Sequence, residues 1–348
     1  MNISPELKQQ LAEQKKQCVF CKLISGEMPD AKKVFEDDKT IALLDIYPAV
    51  KGHTLFMTKE HYPMPAYMPS EEFKQMFSLI PSLGKAVKNA MVRTGLNVFI
   101  ALGGAAGQQS PHFMVHLLPR EDEDGFFNFL FGKKGEVLRE EEQKMLAQHL
   151  SQIMQNHFAR NPAPWHSGAG SIPPFLEKIK AASKTLYEDE KVLCVFPEKS
   201  AGKGHLVIYS KMEEKEIEKL SQEDAAHLFS MASLASTAVF EGLKAQGTNI
   251  LLKSGRCDDN LSGMLEIHIL PRWQDDKLQG LMWQPKQASY DLDSIVAKIK
   301  DKTWNVKYKK EEKKEKSAEG KKEVKESKPK PLTTPDEEII KAIERLRQ

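Results

Sequence analysis

Short apolar runs bounded by turn residues occur early in the chain and return later in the same order. Residues 40–45 and 54–58 are two such runs, and each reads as a buried strand. A long amphipathic stretch follows. Ser70, with Phe73 three residues on, is placed as its N-cap, and Gly95 as its helix-stop residue. Two more strands are expected at 97–102 and 113–118. The series then repeats: strands at 192–196, 206–209, 249–253 and 265–270, around a second helix opened by Ser221 and stopped near Gly247. Strands separated by turns, with one long helix among them, predict an antiparallel α+β layer in each copy.

The repetition holds a single register. Val34-Phe35-Glu36-Asp37-Asp38 answers Leu186-Tyr187-Glu188-Asp189-Glu190, Gly52-His53-Thr54-Leu55 answers Gly204-His205-Leu206-Val207, and His116-Leu117-Leu118-Pro119-Arg120 answers His268-Ile269-Leu270-Pro271-Arg272. The offset is 152 residues each time. Chance matches do not keep one offset over most of a domain, so the chain is read as a duplication.

The predicted organisation follows. Residues 1–17 form an N-terminal helix or extension, 18–135 the first domain, 136–174 an inserted helix (136–158) and linker, and 175–290 the second domain. A C-terminal helix covers 291–309. Residues 310–333 are rich in Lys and Glu and almost free of apolar side chains, so a disordered tether is expected there. In 334–348, Ile339, Ile340, Ile343 and Leu346 fall on one helical face, which predicts a short amphipathic helix that docks on the chain's own sheet or, the favoured reading, on a protein partner.

Composition adds little to this and excludes a good deal. A length of 348 residues and 40% hydrophobic content allow two packed domains. A net charge of +2 gives no global case for nucleic acid, and the lysine excess of the tether is too diluted to make one. No apolar run is long enough to span a membrane, and 1–17 is polar, so a cytoplasmic location is expected. Four cysteines are too few for a disulfide framework. The Cys18-Val19-Phe20-Cys21 pair suits a metal or a reduced dithiol.

The chemistry concentrates in Gly107-Gln108-Gln109-Ser110-Pro111-His112-Phe113-Met114-Val115-His116-Leu117-Leu118. On a strand, His112, Met114 and His116 share one face, and Phe113, Val115 and Leu117 the other. The segment resembles the histidine triad (HIT) signature of three alternating histidines. In that family the middle histidine attacks the α-phosphate of a nucleotide. Here Met114 stands in its place, and a thioether is a poor nucleophile towards phosphorus with no proton to transfer. The resemblance implies two fused HIT-like domains paired as an intramolecular pseudo-dimer, hence a monomer. That layout is similar to galactose-1-phosphate uridylyltransferases, where one chain holds two HIT-like halves and only one is active.

Two sites follow from the resemblance. In its zinc-containing branch a Cys-x-x-Cys pair joins a histidine after the second strand and the first triad histidine. Cys18, Cys21, His61 and His112 match, which implies one structural Zn²⁺ per chain, with four protein ligands and no open position. The second copy has Glu213 and Met264 at the two histidine positions. For the nucleotide, the resemblance implies Asp45 on the ribose, Gly107 and Gln108 near the phosphates, and His116 beside the transferring group. Leu102 departs from the asparagine usual there. In the second copy the triad reads Met264, Glu266 and His268. Its ribose position is Pro197 and its Gly-Gln pair Asp259-Asn260. Glu266, among Asp258 and Asp259, is expected to repel phosphate, leaving that copy structural. Trp283-Gln284-Pro285 could serve the first copy's site. The favoured function is a nucleotide-binding sensor or scaffold that has lost catalysis. The alternatives are a HIT-type phosphohydrolase or nucleotidyltransferase with a rearranged site, and an adaptor for proteins or RNA.

Overall fold

The computed structural model describes residues 5–29, 31–131, 135–166, 168–276 and 278–309. The expected tether at 310–333 and terminal helix at 334–348 lie outside the described residues. In chain order the elements are α1 (Pro5–Gln17), α2 (Val19–Ser25), β1 (Lys33–Glu36), β2 (Thr40–Leu44), β3 (Thr54–Thr58), α3 (Ser70–Met91), β4 (Gly95–Leu102) and β5 (Val115–Arg120). Then come α4 (Glu140–Arg160), α5 (Pro174–Ala182), β6 (Lys184–Glu188), β7 (Val192–Phe196), β8 (Leu206–Ser210), α6 (Gln222–Leu243), β9 (Gly247–Ser254), β10 (Glu266–Arg272) and α7 (Leu292–Lys302).

All ten strands join one antiparallel sheet, ordered β1-β2-β3-β5-β4-β9-β10-β8-β7-β6. The halves meet at the β4–β9 seam. There Val98 faces Leu252, Phe99 faces Leu251 and Ile100 faces Ile250. Phe99 and Leu251 are themselves 152 residues apart, so a pseudo-twofold axis passes between them. The long helices follow the same axis on one face of the sheet, where Phe77 of α3 and Phe229 of α6 bring their ring centroids to 4.9 Å. The main core lies between these helices and the sheet, and Phe113, Val115 and Leu117 point into it beside Val98 and Ile100. On the opposite face α2 covers the first half and α5 the second. Among the described residues no helix is long and apolar enough to cross a membrane.

Several predicted boundaries move. The inserted helix runs Glu140–Arg160 rather than 136–158. Pro69, not Ser70, precedes the first turn of α3, so Ser70 is already helical and caps nothing. Ser221 does cap α6, its hydroxyl accepting the Asp224 N–H at 3.1 Å. Gly95 and Gly247 do not end helices. The left-handed residues there are Val92 and Lys244, and both glycines open strands where a Cβ would press on backbone: Arg256 O at 3.0 Å for Gly95, Ala106 N at 2.8 Å for Gly247. Strand β5 starts at Val115 instead of 113, because the Phe113 N–H turns to the Tyr62 carbonyl at 2.7 Å.

Candidate functional site

Two constellations meet at the start of β5. In the first, α2 begins directly after Cys18, which carries Cys21 one turn on, and the loop after β3 delivers His61. His112 arrives from the turn before β5, where the Ser110 hydroxyl accepts its N–H at 3.1 Å. Cys21 Sγ lies 3.3 Å from His61 Nδ1 and 3.5 Å from His112 Nδ1, and Cys18 Sγ lies 3.8 Å from His112 Nδ1. All four donor atoms lie within 4.8 Å of one another. A tetrahedral ion with bonds of about 2.3 Å to sulfur and 2.0–2.1 Å to nitrogen spaces its ligands about 3.3–3.8 Å apart, so the cluster could hold a metal ion. The His112 ring is oriented for it: Nε2–H donates to the Thr58 carbonyl at 2.9 Å, which leaves the Nδ1 lone pair facing the thiols. Burial opposes ionisation of Cys18, but the neighbouring His112 and His61 rings bring it down to about 5. Burial and the Cys18 charge push Cys21 up to about 12.

The second constellation lies on the sheet face away from α3. Gly52 makes the turn before β3 at φ +87°, where a Cβ would strike the Met91 side chain; its repeat, Gly204, has φ +71° and meets Leu243 in the same way. These turns place His53 and His205. The Ala49 N–H donates to His53 Nδ1 at 3.2 Å, so the His53 proton sits on Nε2 and is given to His116 Nδ1 at 3.0 Å. His116 is left as a neutral imidazole with its proton on Nε2, facing the site. Burial takes both rings down to about 3, and for His116 the neighbouring His53 adds to it. Asp45 stands beside them, one oxygen accepting the Tyr47 N–H at 2.8 Å and the other 3.2 Å from His53 Nδ1. Burial raises its carboxyl above the ordinary range. The second half carries the same chain, Ala201 N to His205 at 3.0 Å and His205 to His268 at 3.0 Å, although Pro197 replaces the acid. The proton order in the pair therefore does not depend on Asp45.

Met114 lies on the expected face but belongs to the apolar group of Ile41, Leu43, Leu55 and Met57 under α2. Gly107 makes a left-handed turn with φ +88°, covered by Met282. The Gln108 side chain braces that turn: its oxygen accepts the Gly103 N–H at 2.8 Å, and its amide donates to Pro63 and Ser110 carbonyls. The Gln108 side chain is thus occupied within the turn. Trp283 crosses from the second half and sets its ring edge-on to His53 and His116, with centroids 5.3 and 5.4 Å away. Its repeat is Phe131, which crosses the other way to His268 at 4.9 Å. Each half thus completes the other's site.

In the sequence His53 stands out only as a repeat marker, and its recurrence as His205 is the signal that points to a paired role. Asp259, expected to add to the repulsion from Glu266, is not a free charge. Its carboxylate takes the fully buried Arg120 guanidinium at 2.7 Å and the Asn97 amide at 3.2 Å, and it lies 3.6 Å from the Lys253 ammonium. It is neutralised at the seam.

The sequence profile of the HIT domain matches residues 26–123 and again 178–275, together more than half of the chain and 152 residues apart. The chain belongs to the HIT family. The curated relatives each align with about a third of it, within one of its two halves. The protein "hit" of Bacillus subtilis is 39% identical over 110 residues, 31% of this chain and 75% of its own. An adenylylsulfatase of Arabidopsis thaliana is 37% identical over 107 residues, 31% of this chain and 54% of its own. An adenosine 5'-monophosphoramidase of Candida albicans is 34% identical over 110 residues, 30% and 72%. Among solved structures, a zinc-bound histidine triad protein from Mycobacterium smegmatis is 32% identical and covers 32% of this chain and 81% of its own, with a TM-score of 0.30. A galt-like protein of Arabidopsis thaliana spans 73% of this HIT chain and 81% of its own at 15% identity, with a TM-score of 0.48.

Proposed function

We propose that this HIT protein binds a nucleotide in its first half and does not turn it over, acting in the cytosol as a monomeric sensor or scaffold. The observation that carries this reading is the proton order of the His53–His116 pair next to Met114. With its proton on Nε2 and its lone pair engaged at Nδ1, His116 can donate to a phosphate oxygen but has no lone pair on that side to attack phosphorus or take a proton. Met114 supplies neither. Binding needs less: a carboxylate at Asp45 for ribose hydroxyls, the Gly107 turn for phosphate oxygens, and the His116 N–H. Relatives named for cleaving adenylyl sulfate and adenosine phosphoramidate support an adenine nucleotide as the first ligand to test.

The metal in this reading is zinc, held by Cys18, Cys21, His61 and His112. Two thiolates and two imidazoles suit that ion, and four protein ligands leave it structural. It would tie α2 to the turn that presents Met114 and His116. Calorimetry against AMP, other mononucleotides and dinucleoside polyphosphates tests the binding claim. The expected result is binding that His116→Ala weakens, with no product released over hours. Robust turnover of any of these compounds would sink the reading in favour of a rearranged enzyme.

A further inference from the structure

The second half's equivalent of the nucleotide site is an open cleft of about 690 Å³, within the range that takes small molecules. Its floor has an inverted polarity. The hydrogen-bond chain that ends at His116 in the first half goes one step further here: His268 Nε2–H donates to Glu266 Oε1 at 3.0 Å. Glu266 occupies the repeat position of Met114. Its second oxygen has no hydrogen-bond partner among the described residues. Lys253, its cross-strand neighbour, does not supply one, because its ammonium is aimed at the carbonyl oxygens of Phe129 and Asp259 at 3.0 and 2.9 Å. Asp259 in turn faces Arg120 across the seam. Where the first half offers an N–H to an anion, the second offers a half-satisfied carboxylate.

The wall beside that carboxylate is apolar. Tyr209 pairs with Glu266 across the β8–β10 ladder and Val207 pairs with His268, and Ile179 of α5 packs over both. Lys178 and Lys199 also line the cleft and stand exposed, but Glu198 and Asp258 in the same lining offset them, so Glu266 is left as the charge at the floor that a ligand meets. We propose that this cleft binds an organic monocation, an apolar body carrying one primary ammonium or amidinium group that pairs with Glu266. Burial alone would favour the neutral acid, yet the charge and hydrogen bond of His268, with Lys253 nearby, hold the Glu266 carboxyl below its ordinary range, so it meets the ligand ionised.

The test is a matched pair of probes with one ring and opposite charges, 2-phenylethylamine and phenyl phosphate, titrated by NMR into the full chain. The amine should shift resonances of Tyr209, Val207 and Ile179, and phenyl phosphate should not. Glu266→Gln keeps the shape and an acceptor for His268 but removes the charge. A charge-assisted hydrogen bond of ordinary strength predicts at least about a tenfold weaker amine affinity in that variant. Its melting temperature is read alongside, so a folding defect is seen as such. Phenyl phosphate seated in this cleft, amine binding indifferent to Glu266→Gln, or no shift of cleft resonances at amine concentrations on the order of 10 mM would each overturn the assignment.

Discussion

Removing the charge of Asp259 tests how the two halves are held as one body. The substitution Asp259→Asn leaves the side chain's shape. It removes the carboxylate 3.6 Å from the Lys253 ammonium, which is itself almost fully buried, and leaves Glu266 as that ammonium's remaining acidic neighbour. Arg120 suffers less, since Asp124 pairs with its guanidinium and Asn97 accepts from it. Orphaning a buried charge costs about 3–5 kcal/mol; with Arg120 still compensated, the lower end, about 3 kcal/mol, is expected. At roughly 2 °C per kcal/mol for a body of this size, the melting temperature should fall by about 6 °C. Because Asp259 belongs to the second half and Arg120 to the first, the loss should appear in a single calorimetric transition. Lys253→Met removes the stranded charge. It also leaves the Phe129 and Asp259 carbonyls unpaired, so rescue is partial, and the double variant should lose less than the sum of the singles by about 1 kcal/mol or more. Strict additivity, a loss under about 1 kcal/mol, or two separate transitions would refute the assignment of Asp259 as the seam's charge partner.

Cys21→Ser should remove the metal, read as a molar ratio near zero by elemental analysis, and should lower the stability of the first half; protein prepared without chelator that holds no metal at all would end the zinc proposal. Met114→His places an imidazole at the vacant nucleophile position, and slow release of AMP from a nucleoside phosphoramidate is expected, held back by Leu102; unchanged inactivity together with intact AMP binding would locate the defect beyond Met114. Acid should destabilise the body from about pH 6.5 downwards. His53 and His116 bind protons near 6.5 when unfolded but only near 3 when folded, so the unfolded state holds more protons in between and stability rises with pH across that window, by up to about 1.4 kcal/mol per pH unit for each ring. Urea midpoints that stay flat between pH 7 and 5 would contradict it.

What the sequence makes legible here is what repeats. The offset of 152 places the strands and the long helices of both halves, because side chains that pack alike recur at one spacing; the pairing of the halves follows only from the family resemblance, and the β4–β9 seam is seen in the structure alone. The four Cys and His donors are legible through the resemblance to the zinc-containing HIT branch, and the fold brings α2, the loop after β3 and the turn before β5 together so that their donor atoms converge. The cap of α3 is not legible, since serine is the better N-cap by type and only the backbone shows that the helix has already begun at Ser70. His53 is hidden because its role comes from a partner 63 residues away, His116, with which it shares no local pattern.

Asp259 is the instructive failure. Read locally it is an acid among acids, and its effect on phosphate follows from Coulomb's law. Read in the fold, it faces a guanidinium 139 residues earlier in the chain. It sits at the repeat position of Gly107, where the first half has no side chain to offer. Fusing two copies on one chain lets these positions diverge, which two identical subunits could not do. Asp259 can bind across the seam while Gly107 keeps its left-handed turn, and Glu266 can cap His268 while His116 keeps its outward N–H. The asymmetry of charge between the two clefts thus follows from duplication on a single chain, which lets one half keep a neutral imidazole at His116 while the other presents a carboxylate at Glu266.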